Sequence, residues 1–232
     1  MGWINQEDLR RPVAVFDYDG TMISGQSGKI LALWLARQGY LSASVILRLI
    51  LWGFRYKFHL PYRQDEAREL IFSDLKSKDP QEVRDIMESF HHSVLKSEVR
   101  PRAMRELGYR KAEGCTCLLA TATFSPITNA AARYLGFDGY IATEMETDDL
   151  GDYTGVVQGD VAAGQAKVDL VKAWADCHLG EGAWYCAYAY GDHYSDIALL
   201  SSAVHPCAVC PGPTLRKYAR QHSWPIVDWE SL

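Results

Sequence analysis

Residues 14–21 read AVFDYDGT, an apolar run that ends in two aspartates one residue apart. Successive side chains of an extended strand point to opposite faces, so an extended VAVFDYD places Asp17 and Asp19 on one side. Two like charges side by side destabilise each other, and something must offset that cost. A bound divalent cation does so, as does a reaction that needs two carboxylates in different protonation states. A polar strand end running into an ordinary Asp-Gly turn also accounts for these residues, and the segment alone leaves the readings open.

Two other apolar runs end in polar groups. CLLATAT (117–123) finishes in the hydroxyls of Thr121 and Thr123, and AYAYGDHYSD (187–196) finishes in Gly191-Asp192, with Asp196 four residues later. Ligands of open parallel sheets bind beyond the carboxyl ends of the strands, which makes these three ends one candidate site. Taken singly, Asp192 and Asp196 read as ordinary caps at the start of the next helix.

The elements that must position these groups are legible in outline. Residues 13–17, 115–121, 139–143 and 184–190 read as strands from composition and length, with 205–210 a shorter fifth. Helical patterns lie between them, such as PITNAAARYLGF (126–137) and QAKVDLVKAWADCHLG (165–180). Near-continuously apolar strands alternating with helices predict an α/β fold, its mainly parallel sheet covered by helices on both faces. Residues 25–97 break the alternation with helix-like runs, including KILALWLARQG and PQEVRDIMESFHHSVL, and no convincing strand. That is too much chain for an ordinary crossover, so a helical insertion is expected after the first strand, with the sheet resuming near residue 100.

A chain of 232 residues suits one large α/β domain or a core carrying a smaller insert, and it can bury a core without metals or disulfides. With 24 Lys+Arg against 29 Asp+Glu, the formal charge of −5 argues against a nucleic-acid partner while allowing a local cationic pocket. The stretch MGWINQEDLRRP carries no apolar signal core, and Gln6 stands where a myristoylation signal needs Ser or Thr; a cytoplasmic protein is expected. The apolar stretch ASVILRLILWGF (43–54) is too short to span a bilayer and has Arg48 in its middle, so it reads as a buried or interfacial helix without stable membrane insertion. Cys207 and Cys210 have the spacing of half a zinc or redox site, but a second CxxC is missing. The six cysteines are read as small apolar residues, with no cofactor assigned to them.

The order DxDGT, a hydroxyl after an apolar strand, a lysine on a helix and GDxxxD resembles the haloacid dehalogenase (HAD) superfamily of phosphohydrolases. TATFSPI, LGFD, YTGVV, GQAK and WPIVDW extend that resemblance over most of the chain and are similar to subfamily IB, which contains phosphoserine phosphatase. The resemblance implies a Rossmann-like catalytic core from residues 1–24 and 98–232, an α-helical cap from 25–97, and a Mg²⁺-dependent phosphatase for a small-molecule phosphate monoester. It makes Asp17 the nucleophile that takes the phosphoryl group. Asp19 becomes the general acid that protonates the leaving oxygen and the base that later deprotonates water. Thr121 and the Ala122 backbone N–H would hold a phosphate oxygen, and Lys167 would neutralise phosphate charge. Asp17, the Asp19 carbonyl and Asp192 would bind Mg²⁺, with Asp196 supporting the metal's water shell. Lys172, five positions on, matches the spacing less well, and His193 occupies a variable loop position within reach of substrate. These roles are chemically coherent, because a phosphate dianion repels a carboxylate nucleophile until cations offset the charge.

Phosphoserine phosphatases place a Glu for the substrate ammonium where this chain has Gln26, and a neutral amide cannot form that ion pair. Phosphoserine is therefore expected to be a poor substrate. The insertion is rich in bulky apolar residues: Leu31, Leu33, Trp34, Leu35, Ile46, Leu47, Leu49, Ile50, Leu51, Trp52 and Phe54. Most are expected in the cap core, and any surplus would form an apolar floor for a less polar or lipid-like leaving group. A phosphotransferase of the same fold and a catalytically silent phosphate-binding regulatory protein are the alternatives. All the catalytic positions hold competent residues, which favours the hydrolase.

Overall fold

The computed structural model describes residues 10–58 and 66–230. Its strands are β1 (Arg11–Phe16), β2 (Thr116–Phe124), β3 (Gly139–Thr147), β4 (Tyr153–Gln158), β5 (Trp184–Gly191), β6 (His205–Val209) and β7 (Ile226–Val227). The helices are α1 (Ser27–Gln38), α2 (Ala43–Lys57), α3 (Glu66–Leu75), α4 (Pro80–Phe90), α5 (Lys96–Glu98), α6 (Pro101–Ala112), α7 (Ser125–Leu135), α8 (Gly164–Leu179), α9 (Ile197–Ser202) and α10 (Pro213–Gln221). A π turn, His91–Leu95, joins α4 to α5. Proline opens or nearly opens α4, α6, α7 and α10, where its missing N–H has no intrahelical partner to lose.

One sheet holds all seven strands in the order β4-β3-β2-β1-β5-β6-β7. Every neighbouring pair is parallel except β3–β4. The alternation of β1 side chains divides the core between the two faces. Val13 and Val15 pack on one side with Val171 of α8, Leu199 of α9 and Leu215 of α10. Ala14 and Phe16 pack on the other with Leu107 of α6 and Ile127 of α7. Both faces are covered, which is why the central strands read as apolar runs rather than as alternating ones.

The five expected strands are present with shifted ends. β1 stops at Phe16, so Asp17 lies just beyond it, whereas β2 continues past Thr121 to Phe124 and β3 past Thr143 to Thr147. Two strands were not expected. β4 is an antiparallel edge strand interrupted by Gly155, and β7 has two residues, too few to carry a pattern.

Helices α1–α6 lie between β1 and β2, and among the described residues no strand interrupts them. The chain leaves and returns at one place. Ser24 N–H donates to the Glu98 carbonyl at 2.9 Å, the Ser24 hydroxyl to Glu98 Oε2 at 2.6 Å, and Ile23 bridges to Val99. The sheet resumes at Thr116 and not near residue 100, because α6 comes first. Leu31 and Leu35 of α1, Phe72 of α3 and Phe90 of α4 join the core on the Phe16 face, and the Phe72 ring meets Phe124 edge-on at 4.8 Å.

The apolar residues of 31–54 divide in a way that corrects the expectation of a mostly buried set. Leu33, Leu47, Ile50, Leu51 and Phe54 are each more than half exposed, whereas Val45 is buried and Ile46 and Leu49 are half-buried against the core. Helix α2 is apolar on two faces, and among the described residues only the face toward α3 and the core is covered. No helix among the described residues is long and apolar enough to cross a membrane.

Candidate active site

The connections move outward from β1 in opposite directions, with β2 and β3 on one side and β5, β6 and β7 on the other. Such a switch point leaves a crevice at the carboxyl ends of the strands. The polar residues singled out in the sequence converge there.

Asp17 follows β1 directly and is tied to the neighbouring strand by its own N–H, 2.9 Å from the Tyr190 carbonyl. The chain then turns, and the Tyr18 carbonyl accepts from Met22 N at 2.9 Å and Ile23 N at 3.1 Å. The extended geometry that would align Asp17 with Asp19 therefore ends at Asp17, and Asp19 meets a different set of partners. Gly20 makes this turn possible. Its φ is 77°, and a Cβ there would lie 2.1 Å from Asp192 Oδ2. The buried Arg100 holds the turn from behind, donating from Nη1 to the Gly20 carbonyl at 2.6 Å and pairing through Nη2 with Glu230 at 3.1 Å.

Helix α8 delivers Lys167 into the crevice, buried, with Nζ 2.8 Å from Asp17 Oδ1 and 2.6 Å from Asp196 Oδ1. Burial alone would lower its pKa, but Asp17 and then Asp196 outweigh that and hold the ammonium charged. Lys172 is exposed and pairs with Asp176 of its own helix, away from the crevice.

Asp17, Asp192 and Asp196 each offer a carboxylate oxygen, all within 4.8 Å of one another. Burial pushes Asp17 well above the usual carboxylate range; Lys167 opposes this and the neighbouring carboxylates add to it. Burial, and then Asp196 and Asp19, push Asp192 up to about 7. The cluster is short of positive charge, and its hard oxygen donors suit Mg²⁺. Asp196 also accepts the His193 N–H at 3.2 Å, so it caps the turn before α9 while its other oxygen meets Lys167. The His193 ring is held locally, with Nδ1 2.9 Å from Ser195 Oγ.

Asp19 has both oxygens engaged. Oδ1 accepts the Ser27 N–H at 2.7 Å, Oδ2 lies 2.9 Å from Thr123 Oγ1, and the Ser27 and Thr123 hydroxyl oxygens are 2.8 Å apart. Burial raises the pKa of Asp19, against the hydrogen bonds from Ser27 and Thr123 that favour its charged form. Thr121 is buried, and its oxygen accepts Thr123 N–H at 3.1 Å, which leaves the hydroxyl proton free to donate elsewhere. The Ala122 carbonyl accepts from Arg68 Nε at 3.0 Å, Arg68 Nη2 at 2.8 Å and Thr143 Oγ1 at 2.9 Å.

Gln26 is exposed at the N-cap of α1, where its side chain makes no capping bond. It stands next to Ser27 and is therefore close in sequence to a partner of Asp19. The contacts made by Ser27, Arg68, Arg100 and Thr143 were not foreseen. A serine at the start of a helical run was the only available signal for Ser27. The two arginines and Thr143 belong to segments distant in sequence and carry no spacing relation to DxDGT.

Comparison with known proteins settles the family. Residues 14–201 match the family of haloacid dehalogenase-like hydrolases. The chain belongs to that family. Among similar proteins, this HAD-family hydrolase is 28% identical over 225 residues to phosphoserine phosphatase SerB1 of Mycobacterium tuberculosis, covering 93% of this chain and 70% of that one. It is 23% identical over 225 residues to a histidinol-phosphatase of Neisseria meningitidis, covering 94% and 99% of the two chains. A solved structure of a protein of unknown function from Bordetella pertussis Tohama I superposes with a TM-score of 0.85 at 30% identity, over 95% of this chain and 99% of that one.

Proposed function

We propose that this HAD-family hydrolase is a Mg²⁺-dependent phosphatase that cleaves a small phosphate monoester through an aspartyl-phosphate on Asp17. The observation that carries the reading is the placement of one buried ammonium, Lys167, against Asp17 within a cluster of three carboxylates at the switch point of the sheet. Relatives named phosphoserine phosphatase and histidinol-phosphatase support a small phosphate ester as substrate.

In this reading Asp17, the Asp19 carbonyl and Asp192 would hold Mg²⁺, with Asp196 supporting the metal's water shell, and the ion would offset the charge of the phosphate dianion. Asp17 attacks phosphorus as the ester P–O bond breaks, and Asp19 gives its proton to the departing oxygen. Water then attacks phosphorus and passes a proton to Asp19 as the bond to Asp17 breaks, releasing inorganic phosphate. Thr121 donates its hydroxyl proton and Ala122 its N–H to phosphate oxygens, while Lys167 balances their charge. Asp19 suits proton work because burial favours its neutral form.

The helices of residues 25–97 act as a cap over a core of 1–24 and 98–232. The paired crossing of Ser24 with Glu98 and Ile23 with Val99 supports boundaries at those points. Gln26 marks where the substrate's leaving group meets the cap, and its neutral side chain favours an ester without an ammonium at that place. The test is phosphate release from a broad panel of phosphorylated metabolites, with Mg²⁺ and with EDTA. Mg²⁺-dependent release from at least one alkyl phosphate is expected, and no release from any member would overturn the reading.

A further inference from the structure

Asp19 is held by a chain of groups that no motif names. Its Oδ1 takes the Ser27 N–H, a group that can only donate. Its Oδ2 meets the Thr123 hydroxyl, which in turn meets the Ser27 hydroxyl, and both of these residues are buried.

We propose that Ser27 and Thr123 are positioning residues for Asp19, a clamp that holds its carboxyl group in one orientation. Ser27 N–H fixes Oδ1, the Thr123 hydroxyl meets Oδ2, and the Ser27 and Thr123 hydroxyls brace each other at 2.8 Å. A group that must meet a leaving oxygen at one place loses rate when it is free to rotate. The two partners come from separate segments, α1 and β2, so the clamp forms only in the folded chain.

The inference rests on the proposed role of Asp19, and its test keeps the two apart. Thr123→Val removes the hydroxyl partner with little change of shape, Thr123→Ser keeps it, and Ser27→Ala removes the bracing hydroxyl while keeping the N–H. Formation of phosphoenzyme is followed by rapid quench, with an alkyl phosphate, whose leaving oxygen needs a proton, and with p-nitrophenyl phosphate, whose leaving group does not. Thr123→Val should slow the alkyl reaction roughly 10–100-fold, a share of what general acid catalysis supplies, and the aryl reaction by less than about 3-fold. Thr123→Ser should restore most of the alkyl rate, and Ser27→Ala should show the same selectivity with a smaller loss. Equal losses on both substrates, or no rescue by Thr123→Ser, would overturn the clamp while Asp19→Asn still discriminates between them. If Asp19→Asn itself affects both substrates equally, the acid role and the clamp fall together.

Discussion

Lys167 Nζ lies 2.8 Å from Asp17 Oδ1, and both side chains are buried. One cation thus neutralises the proposed nucleophile before substrate arrives, and it stands where phosphate charge would have to be balanced. Lys167→Met should lower kcat/KM by at least about 100-fold, the loss typical of a charge-stabilising group. It should also destabilise the fold by roughly 3 kcal/mol, as expected when a buried pair loses one partner. Saturating Mg²⁺ should recover part of that loss, which urea unfolding with and without the ion would show.

The carboxylate cluster predicts a metal effect that does not depend on finding the substrate. Mg²⁺ should raise the Tm of the wild-type protein in a saturable way, because the proposed site exists in the folded cluster and not in the unfolded chain. Asp192→Asn should remove most of that rise. A Tm insensitive to Mg²⁺ in the wild type would contradict the assignment of the site.

His91, in the π turn after α4, gives a pH prediction away from the site. It is buried beside Tyr134, neither ring nitrogen has a hydrogen-bond partner among the described residues, and burial lowers its pKa to about 4. The unfolded chain therefore binds a proton near pH 6.5 that the folded chain refuses until about 4, so stability falls as pH drops through that window. The loss reaches up to about 3 kcal/mol. His91→Phe should remove it, so that the gap in Tm between variant and wild type widens from pH 7 to pH 4.

The role proposed for Gln26 in substrate choice gives a further prediction. Gln26→Glu should raise kcat/KM for phosphoserine relative to uncharged alkyl phosphates, by roughly tenfold for one added charge-assisted contact. If phosphoserine is already the best substrate of the wild type in a mixed panel, the reading of Gln26 is wrong.

The legible part of this protein was its strand ends. Asp17 and Asp192 were singled out because central parallel strands are apolar on both faces, which makes a terminal polar group conspicuous, and Lys167 because its spacing matched a known pattern; these three side chains lie together in the structure. Asp19 stays within electrostatic reach of Lys167 and Asp192, as Asp17 does, although the turn at Tyr18, which Gly20 against Asp192 permits, ends the extended strand before it. The contacts of Arg100 and Arg68 with backbone carbonyls of the site are tertiary, and no local pattern announces them. Helix α2 was misjudged for another reason: its apolar period shows that a face exists but not whether a neighbour covers it. β4 and β7 escaped because an edge strand with a central glycine and a two-residue strand carry almost no periodicity.

The central claim is that the two aspartates of DYD have different roles, Asp17 as nucleophile and Asp19 as acid and base. Rapid-quench mass spectrometry of Asp17→Asn and Asp19→Asn with p-nitrophenyl phosphate and Mg²⁺ tests it most directly. Asp19→Asn should accumulate a phosphorylated enzyme, since Asp17 can still attack a good leaving group while hydrolysis of the aspartyl-phosphate lacks its base. Asp17→Asn should form none. Phosphoenzyme in Asp17→Asn, or wild-type turnover of alkyl phosphates by both variants, would contradict the account.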